Sequence, residues 1–461
     1  MLNGILESIS KLFLDLGASI ALPVLITMFG LMLGEKLPRA FRAGVTIGIG
    51  FIGIGLIIGL LFGKVGPAAQ GLADRFNVDL TIVDVGWPAS AAIAFGSKVG
   101  AIIIPICLLM NIFLLAIGLT KTFDIDLWNY WHFAFIGGLV AAITESYAKG
   151  IVTALIAMML TLALADWAAP RIQAHYDYPD ISFPHGTSAA YAILAYPLNW
   201  LFDRIPGFNK LKADPESTQK RFGIFGETTM LGLFIGLALG VAGFGLDDPR
   251  ADIIAILGLG ITLAAVMLLL PRMVAILMEG LVPISEAARS FVSKRFPGRK
   301  FYIGLDSAVV IGQPAVIATS LILVPVTLLT AIALAPLGNK VFPLVDLATI
   351  PFIVCLMVPI FGGNIIRSVA GGAILIGGGL FIATAIAPTL TEVAVSSGFK
   401  NDTGGTISSL VDGANPMTGL FYWLSDIGGW TGIGILGAVT LAISVLVKMK
   451  VKHNISSNVM N

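Results

Sequence analysis

Charge is what this chain has least of. Only 12% of its 461 residues are Asp, Glu, Lys or Arg, against roughly 25% in a soluble domain. With 57% hydrophobic residues and a mean hydropathy of +0.93, that deficit excludes an ordinary water-exposed globule. The net charge of +1 offers no basic field to a nucleic acid. Histidine and cysteine are equally scarce, four and two. Cys107 and Cys355 lie in apolar runs, and their spacing supports neither a disulfide framework nor a metal site. No HExxH pair and no triad-like grouping is present, so a purely intramembrane enzyme is disfavoured, and no metal or cofactor is expected. The glycines at 48, 50 and 53 imitate a nucleotide loop, but they lie inside an apolar run with no strand before them.

What is there is apolar sequence in long runs, laced with 53 glycines and 23 prolines. That mixture suits close helix packing and interrupted helices in a bilayer. The expected fold class is an all-α polytopic membrane protein with about 11 transmembrane helices, re-entrant hairpins and interfacial helices. No cleavable signal peptide is evident, and residues 1–16 read as an amphipathic lead-in. Runs at 18–34, 44–62, 99–119, 151–167, 225–244, 253–270, 316–337, 350–361, 369–386 and 432–447 read as spans. A further span opens at His132 and contains Glu145. Segments 66–77 and 124–131 read as interfacial. The basic stretches 35–42, 203–221 and 272–300 are expected as cytoplasmic segments, as is the C-terminus with Lys448, Lys450 and Lys452. An odd span count then puts the N-terminus outside.

The two halves resemble each other weakly. IVDVGWP (82–88) matches LVDLATI (344–350), GFIG (50–53) falls on GQPA (312–315), and FPHGTS (183–188) has a counterpart in VDGANP (411–416). Three matches in the same order point to a duplicated fold within one domain, 1–461. Its first repeat is 1–202, its linker 203–224 and its second repeat 225–461, inverted if the spans per half are odd.

An ionisable residue at membrane depth costs roughly 2.5–3.5 kcal/mol on insertion scales, so each one carries a functional reading beside a structural one. His185, flanked by Pro184 and Gly186 and followed by Thr187, is either a substrate contact or polar packing at a helix break. Asp306 is a site residue or a helix N-cap. His132 is a site residue or an interfacial histidine among Trp128, Tyr130 and Trp131. Asp84 and Asp346 cap two equivalent hairpins or touch substrate, and Trp87 stacks on a sugar or anchors its hairpin. Glu145 and Glu227 lie in or near the membrane, as substrate contacts or otherwise. Asp412 and Asn415 occupy the break that corresponds to that of His185. Asn364 and Arg367 read as a helix end, and His175 and His453 receive no role. A desolvated set of Asp, Glu, His, Asn and Thr suits the hydroxyls of a sugar or polyol. The Arg cluster of a phosphate or organic-anion site is missing.

The ordered set GVTIGIGFIGIGL (44–56), VDVGWP (83–88), FPHGTS (183–188), FGIFGE (222–227), IGLD (303–306) and DLATI (346–350) resembles the galactitol-type EIIC membrane component of the bacterial phosphoenolpyruvate-dependent sugar phosphotransferase system. The likeness covers nearly the whole chain. It implies a homodimeric carrier in the bacterial cytoplasmic (inner) membrane for galactitol or a similar polyol. The partner would be a phosphocysteine-bearing EIIB and, through it, EIIA. A more distant similarity to the ascorbate-type EIIC implies two repeats, each with scaffold and core parts, moving by an elevator-like shift. It also implies substrate contacts at His132, His185 and Asp306, with Asp84, Gly86 and Trp87 beside them. Glutamines of the ascorbate site are absent, with Ile136 and Gly186 in their places. The chain carries no phosphorylatable cysteine loop, so it is expected to position a hydroxyl for phosphorylation rather than donate the phosphoryl group. Two alternatives stay open: an ion-coupled secondary transporter using a carboxylate such as Glu145, and a receptor that binds a sugar without moving it.

Overall fold

The computed structural model describes residues 23–459 other than 25, 77–79, 127–128, 211–212, 214–226, 296–298 and 402. The 1–16 lead-in, Trp128, much of the 203–221 stretch and residues 222–226 of the FGIFGE run lie outside the described residues. In chain order the elements are α1 (Leu37–Phe76), β1 (Ile82–Asp84), α2 (Trp87–Gly96), α3 (Lys98–Ala116), β2 (Thr122–Asp124), α4 (Tyr130–Ile143), α5 (Tyr147–Tyr176), β3 (Ile181–Ser182) and α6 (Gly186–Phe202). They continue with α7 (Thr228–Phe244), α8 (Pro249–Arg295), β4 (Tyr302–Gly304), α9 (Ala308–Ile311), α10 (Pro314–Leu334), β5 (Val341–Phe342), a 3-10 turn (Val345–Thr349), α11 (Ile350–Val354), α12 (Met357–Ile360), α13 (Ile365–Ser396), β6 (Ile407–Ser408) and α14 (Pro416–Val459).

Among the described residues, α1, α5, α8, α10, α13 and α14 are long and apolar enough to cross a membrane, and shorter apolar helices accompany them. The protein is therefore an all-α polytopic membrane protein. α8 has 47 residues, roughly 70 Å at 1.5 Å per residue, against a hydrocarbon core of roughly 30 Å. The basic stretch 272–300, expected as a cytoplasmic segment between spans, is thus a helical continuation of the 253–270 span as far as Arg295, because its Ala, Glu, Lys and Arg favour helix. The 350–361 run, expected as a span, is instead two short buried helices, α11 and α12, where Pro351 and Pro359 each remove a backbone donor. The 66–77 segment, expected at the interface, continues α1 as far as Phe76.

Three elements, the long α1 and α8 and the shorter α7, pack as one bundle, and small residues let their backbones meet. A Cβ on Gly50 would lie 2.8 Å from Leu277 Cα, and one on Gly236 would lie 2.7 Å from Gly260 Cα. Their outer faces are apolar, with Leu56 70% and Ile261 64% exposed, as a lipid-facing surface requires.

The rest of the chain wraps two small parallel sheets of order β5-β1-β6 and β2-β4-β3. Ile82 pairs with Val341 and Val83 with Ile407 in one, while Phe123 and Ile181 both pair with Ile303 in the other. Non-helical backbone buried in such a protein must find internal partners, and these ladders supply them. Each sheet takes its central strand from one half of the chain and its two outer strands from the other. Every strand leads into a turn or helix start, so the sheets gather six chain breaks into two groups of three. Around them runs an apolar core that includes Phe183, Ile303 and Ile350, with a second cluster of Phe133, Phe135, Met158 and Phe421.

Candidate substrate-binding site

At the end of the β5-β1-β6 sheet, Asp84 and Asp346 knit three junctions together. Asp84 Oδ1 accepts the N–H groups of Gly86 and Leu410, and Oδ2 those of Leu344 and Asp346, at 2.9–3.1 Å. Asp346 Oδ1 accepts from Trp87 N–H and the Thr349 hydroxyl, and Oδ2 from the Ser409 hydroxyl and Val411 N–H, at 2.8–3.2 Å. A carboxylate offers about four acceptor positions, so both groups are filled by the protein itself. Gly86 has φ of +77°, and a Cβ there would lie 2.7 Å from Asp346 Oδ1. Only glycine fits that turn without strain.

The other group of junctions is chemically different. Pro184 ends β3's extension and His185 stands at the N-cap of α6, while His132 lies in the first turn of α4. Their Nε2 atoms are 3.2 Å apart, with ring planes at 72°. His132 Nδ1 lies 3.3 Å from Asp412 Oδ1, and His185 Nε2 lies 3.7 Å from Asp306 Oδ1. Asp306 otherwise accepts only Ala308 N–H among the described hydrogen bonds, at 2.7 Å, and Asp412 Oδ2 is buried with no well-formed hydrogen bond among the described residues, the Ser90 hydroxyl being a polar neighbour of that carboxyl. All four side chains are at most 5% exposed. Thus Asp412, His132, His185 and Asp306 form one buried line that joins the two halves of the chain.

Packing sets that line. A Cβ on Gly186 would collide with His132 Cβ, so glycine there lets α6 start against α4. Asn415 Nδ2 donates to the carbonyls of Gly186 and Thr187 at 3.1 and 3.2 Å, and its Oδ1 accepts Met417 N–H, which ties the start of α14 to that of α6. Trp131 packs on His132 with ring centroids 4.2 Å apart, and Phe352 stacks on His185 at 5.9 Å.

Several sequence candidates fall elsewhere. Trp87 opens α2 beside Asp346. The span expected to contain Glu145 ends at Ile143, and Glu145 occupies the following turn with φ of +49°. Glu227 is exposed at the start of α7. The 124–131 segment is not interfacial: Asp124, Asp126, Tyr130 and Trp131 are buried. Asn111 holds Asp124 N–H, Asn129 and the Asp126 backbone N–H donate to its carboxylate, and Oδ2 is buried without a hydrogen-bond partner among the described residues. Asp166 from α5 accepts from Thr120, Lys121 N–H and Thr122 and so pins β2 from behind. Arg367, read as a helix end, reaches from the first turn of α13 to Asp203 at 2.7 Å and Asn199 at 2.9 Å. Sequence reasoning does not single out Ser188, Ser307 or Phe352. The three-residue spacing of Ser188 from His185 at a helix start was its only signal.

Buried imidazoles and carboxylates with open acceptor positions are equipped to take hydrogen bonds from a polyhydroxylated ligand. Among the described residues, no three His, Cys, Asp or Glu side chains are grouped to hold a metal ion.

The chain is 37% identical over 436 residues to the PTS system galactitol-specific EIIC component of Escherichia coli (strain K12), covering 94% of each chain. The protein of the same description from Escherichia coli O157:H7 gives the same figures. Residues 12–404 match EIIC-GAT, the sugar-specific permease component of the phosphotransferase system (PTS). A match over most of the length, with a relative this similar from end to end, makes the chain a member of the EIIC-GAT family of phosphotransferase-system permease components, a multi-pass protein of the bacterial inner membrane.

Proposed function

We propose that this permease component binds galactitol or a closely similar polyol outside the cell and presents it inside for phosphorylation by a separate EIIB. The observation that carries the reading is the buried Asp412–His132–His185–Asp306 line, found in a chain 37% identical to a galactitol-specific EIIC. The imidazoles and the open carboxylate oxygens would bind hydroxyls, with Thr187 and Asn415 holding the helix starts in place. Asp84, Gly86, Trp87 and Asp346 act in this reading as the frame behind the site. Glu145 and Glu227 lie outside it.

Movement would follow the elevator scheme, with α1, α7 and α8 as scaffold and the sheet-bearing remainder as core. The seam between them supports this, because Ile57, Leu61, Val266 and Leu270 face Leu321 and Phe352 across an apolar crevice, a surface suited to sliding. The repeats 1–202 and 225–461 are supported by element order, since β1, β2 and β3 recur as β4, β5 and β6 and the two sheets exchange strands reciprocally. That order would make Asp84 the counterpart of Asp306 and Asp126 that of Asp346, an alternative to the alignment of 82–88 with 344–350. About 11 spans, an inverted relation of the repeats, a homodimer and a cytoplasmic C-terminus complete the reading.

Equilibrium binding of radiolabelled galactitol to the purified protein tests it. Saturable binding should be lost in His185→Ala and Asp306→Ala and kept in Glu227→Gln. Binding that survives both site substitutions would refute the assignment of the site.

A further inference from the structure

The two small sheets are alike in form and unlike in charge where their strands begin. Lys121 stands immediately before β2, and Arg299 and Lys300 just before β4. Asp180, before β3, is already paired with Arg289 of α8 at 3.6 Å. The end of α3 closes on the same face. There Arg299 Nη1 donates to the Leu115 and Ala116 carbonyls at 3.0 Å, and Lys448 Nζ of α14 donates to that of Ile117 at 3.3 Å. Lys450 of the same helix lies over the Trp167 ring, 5.5 Å from its centroid. By contrast, Leu80 and Thr81 lead into β1, Lys340 into β5, and Gly405 and Thr406 into β6, a single charge among the five. The two faces lie at opposite ends of α8. Arg289 meets Asp180 near its C-terminus, while beside its N-terminus Asp247 meets Arg75 at the end of α1, which leads toward β1.

Lys121 is half-buried, and Arg289, Arg299, Lys300, Lys448 and Lys450 are exposed. Gathered like charges repel, Lys300 being near enough to Lys121 to oppose its charge, and an anion that settles on them relieves the repulsion. Because β2, β4 and β3 are parallel, all three run from this basic face inward to His132, Asp306 and His185. Lys300 stands six positions before Asp306, at most about 20 Å of extended chain. We infer that this face, centred on Lys121, Lys300, Lys448 and Lys450, is the docking surface for EIIB, which sets an acidic, phosphoryl-bearing patch against the starts of β2, β4 and β3. This docking role rests on the proposed function, which supplies the partner. A phosphorylated side chain carries about two negative charges, and it has to come within reach of a hydroxyl held at His185 and Asp306. Anionic lipid headgroups also attract such cations, but a lipid contact calls for charges spread around the rim. Here they converge: Arg299 Nη1 and Lys448 Nζ come within 4 Å of one point beside Gly118, at the mouth of a single sheet.

The test follows galactitol phosphate formation against the concentration of phosphorylated EIIB, with the full-length protein in phosphatidylcholine nanodiscs. Lys300→Glu combined with Lys450→Glu should raise the KM for phosphorylated EIIB by about tenfold or more and leave kcat near wild type. Lys340→Glu combined with Lys400→Glu, at the opposite face, should leave both unchanged. Galactitol binding equal to wild type shows that each variant is folded. Raising salt from about 50 to about 500 mM should increase the wild-type KM severalfold and that of the Lys300/Lys450 variant less, because screening removes only what the charges contribute. The salt series needs no substitution, and it decides alone if that variant loses galactitol binding. A KM for phosphorylated EIIB that neither the Lys300/Lys450 change nor salt alters would overturn the docking surface and leave the proposed function standing. A difference seen only in phosphatidylglycerol nanodiscs would assign these cations to lipid headgroups and overturn it too. No galactitol phosphate from wild type at any EIIB concentration means that the proposed function fails and takes the docking surface with it.

Discussion

Asp84 and Asp346 differ from Asp306 and Asp412 in what already occupies their oxygens. The first pair accept eight hydrogen bonds from the protein, whereas Asp412 keeps a buried oxygen with no well-formed hydrogen bond among the described residues. Asp84→Asn would turn an amide N–H₂ toward two backbone N–H donors and should cost about 3 kcal/mol of stability, read as a lower melting temperature in detergent. Asp412→Asn should melt much closer to wild type and lose galactitol affinity instead. Gly186→Ala places a methyl group against His132 and should weaken binding by about tenfold or more, roughly 1.4 kcal/mol, in a protein that still folds. Equal thermal loss in Asp84→Asn and Asp412→Asn would remove the distinction between frame and site. In the sequence, all four aspartates look alike: each is an acid beside a glycine, serine or valine at a polar break. Which carboxylate is filled depends on backbone N–H groups some 260 to 330 residues away, and no local pattern encodes that.

At the scale of elements, the chain breaks are the organising feature, and here much was legible. Pro184 with Gly186, Gly86 with Pro88, and Pro416 all mark true helix starts. Less legible were the small sheets, since strands of two or three residues fall below any periodic signal, and the length of α8, whose basic end is as helix-prone as it is loop-like. The Asp124–Trp131 stretch misleads because aromatic and acidic residues mark an interface and a buried polar junction equally well. The glycine contacts between α1 and α8 give the clearest test at this level. Gly50→Leu would drive a side chain into the Leu277 backbone, and it should destabilise the bundle by about 1–3 kcal/mol, whereas Gly55→Leu, with open space beside it, should not. Matching melting temperatures for the two variants would contradict the packing described.

For the whole molecule, the interleaving of strands from both halves means that neither half can complete its own sheet. Residues 1–202 expressed alone should therefore fail to give a stable, polyol-binding protein, and co-expression with residues 203–461 should restore binding. A first half that binds galactitol unaided would deny the cross-half site. The central claim, however, concerns what the assembled molecule does for its partner. The most direct measurement uses inverted membrane vesicles containing the protein, supplied with phosphoenolpyruvate, the general phosphotransferase proteins, EIIA, EIIB and radiolabelled galactitol. The account predicts galactitol phosphate from wild type and little or none from His185→Ala or Asp306→Ala inserted at normal levels. Gradient-driven accumulation of unmodified galactitol, with no phosphorylated product and no need for phosphoenolpyruvate, would contradict it.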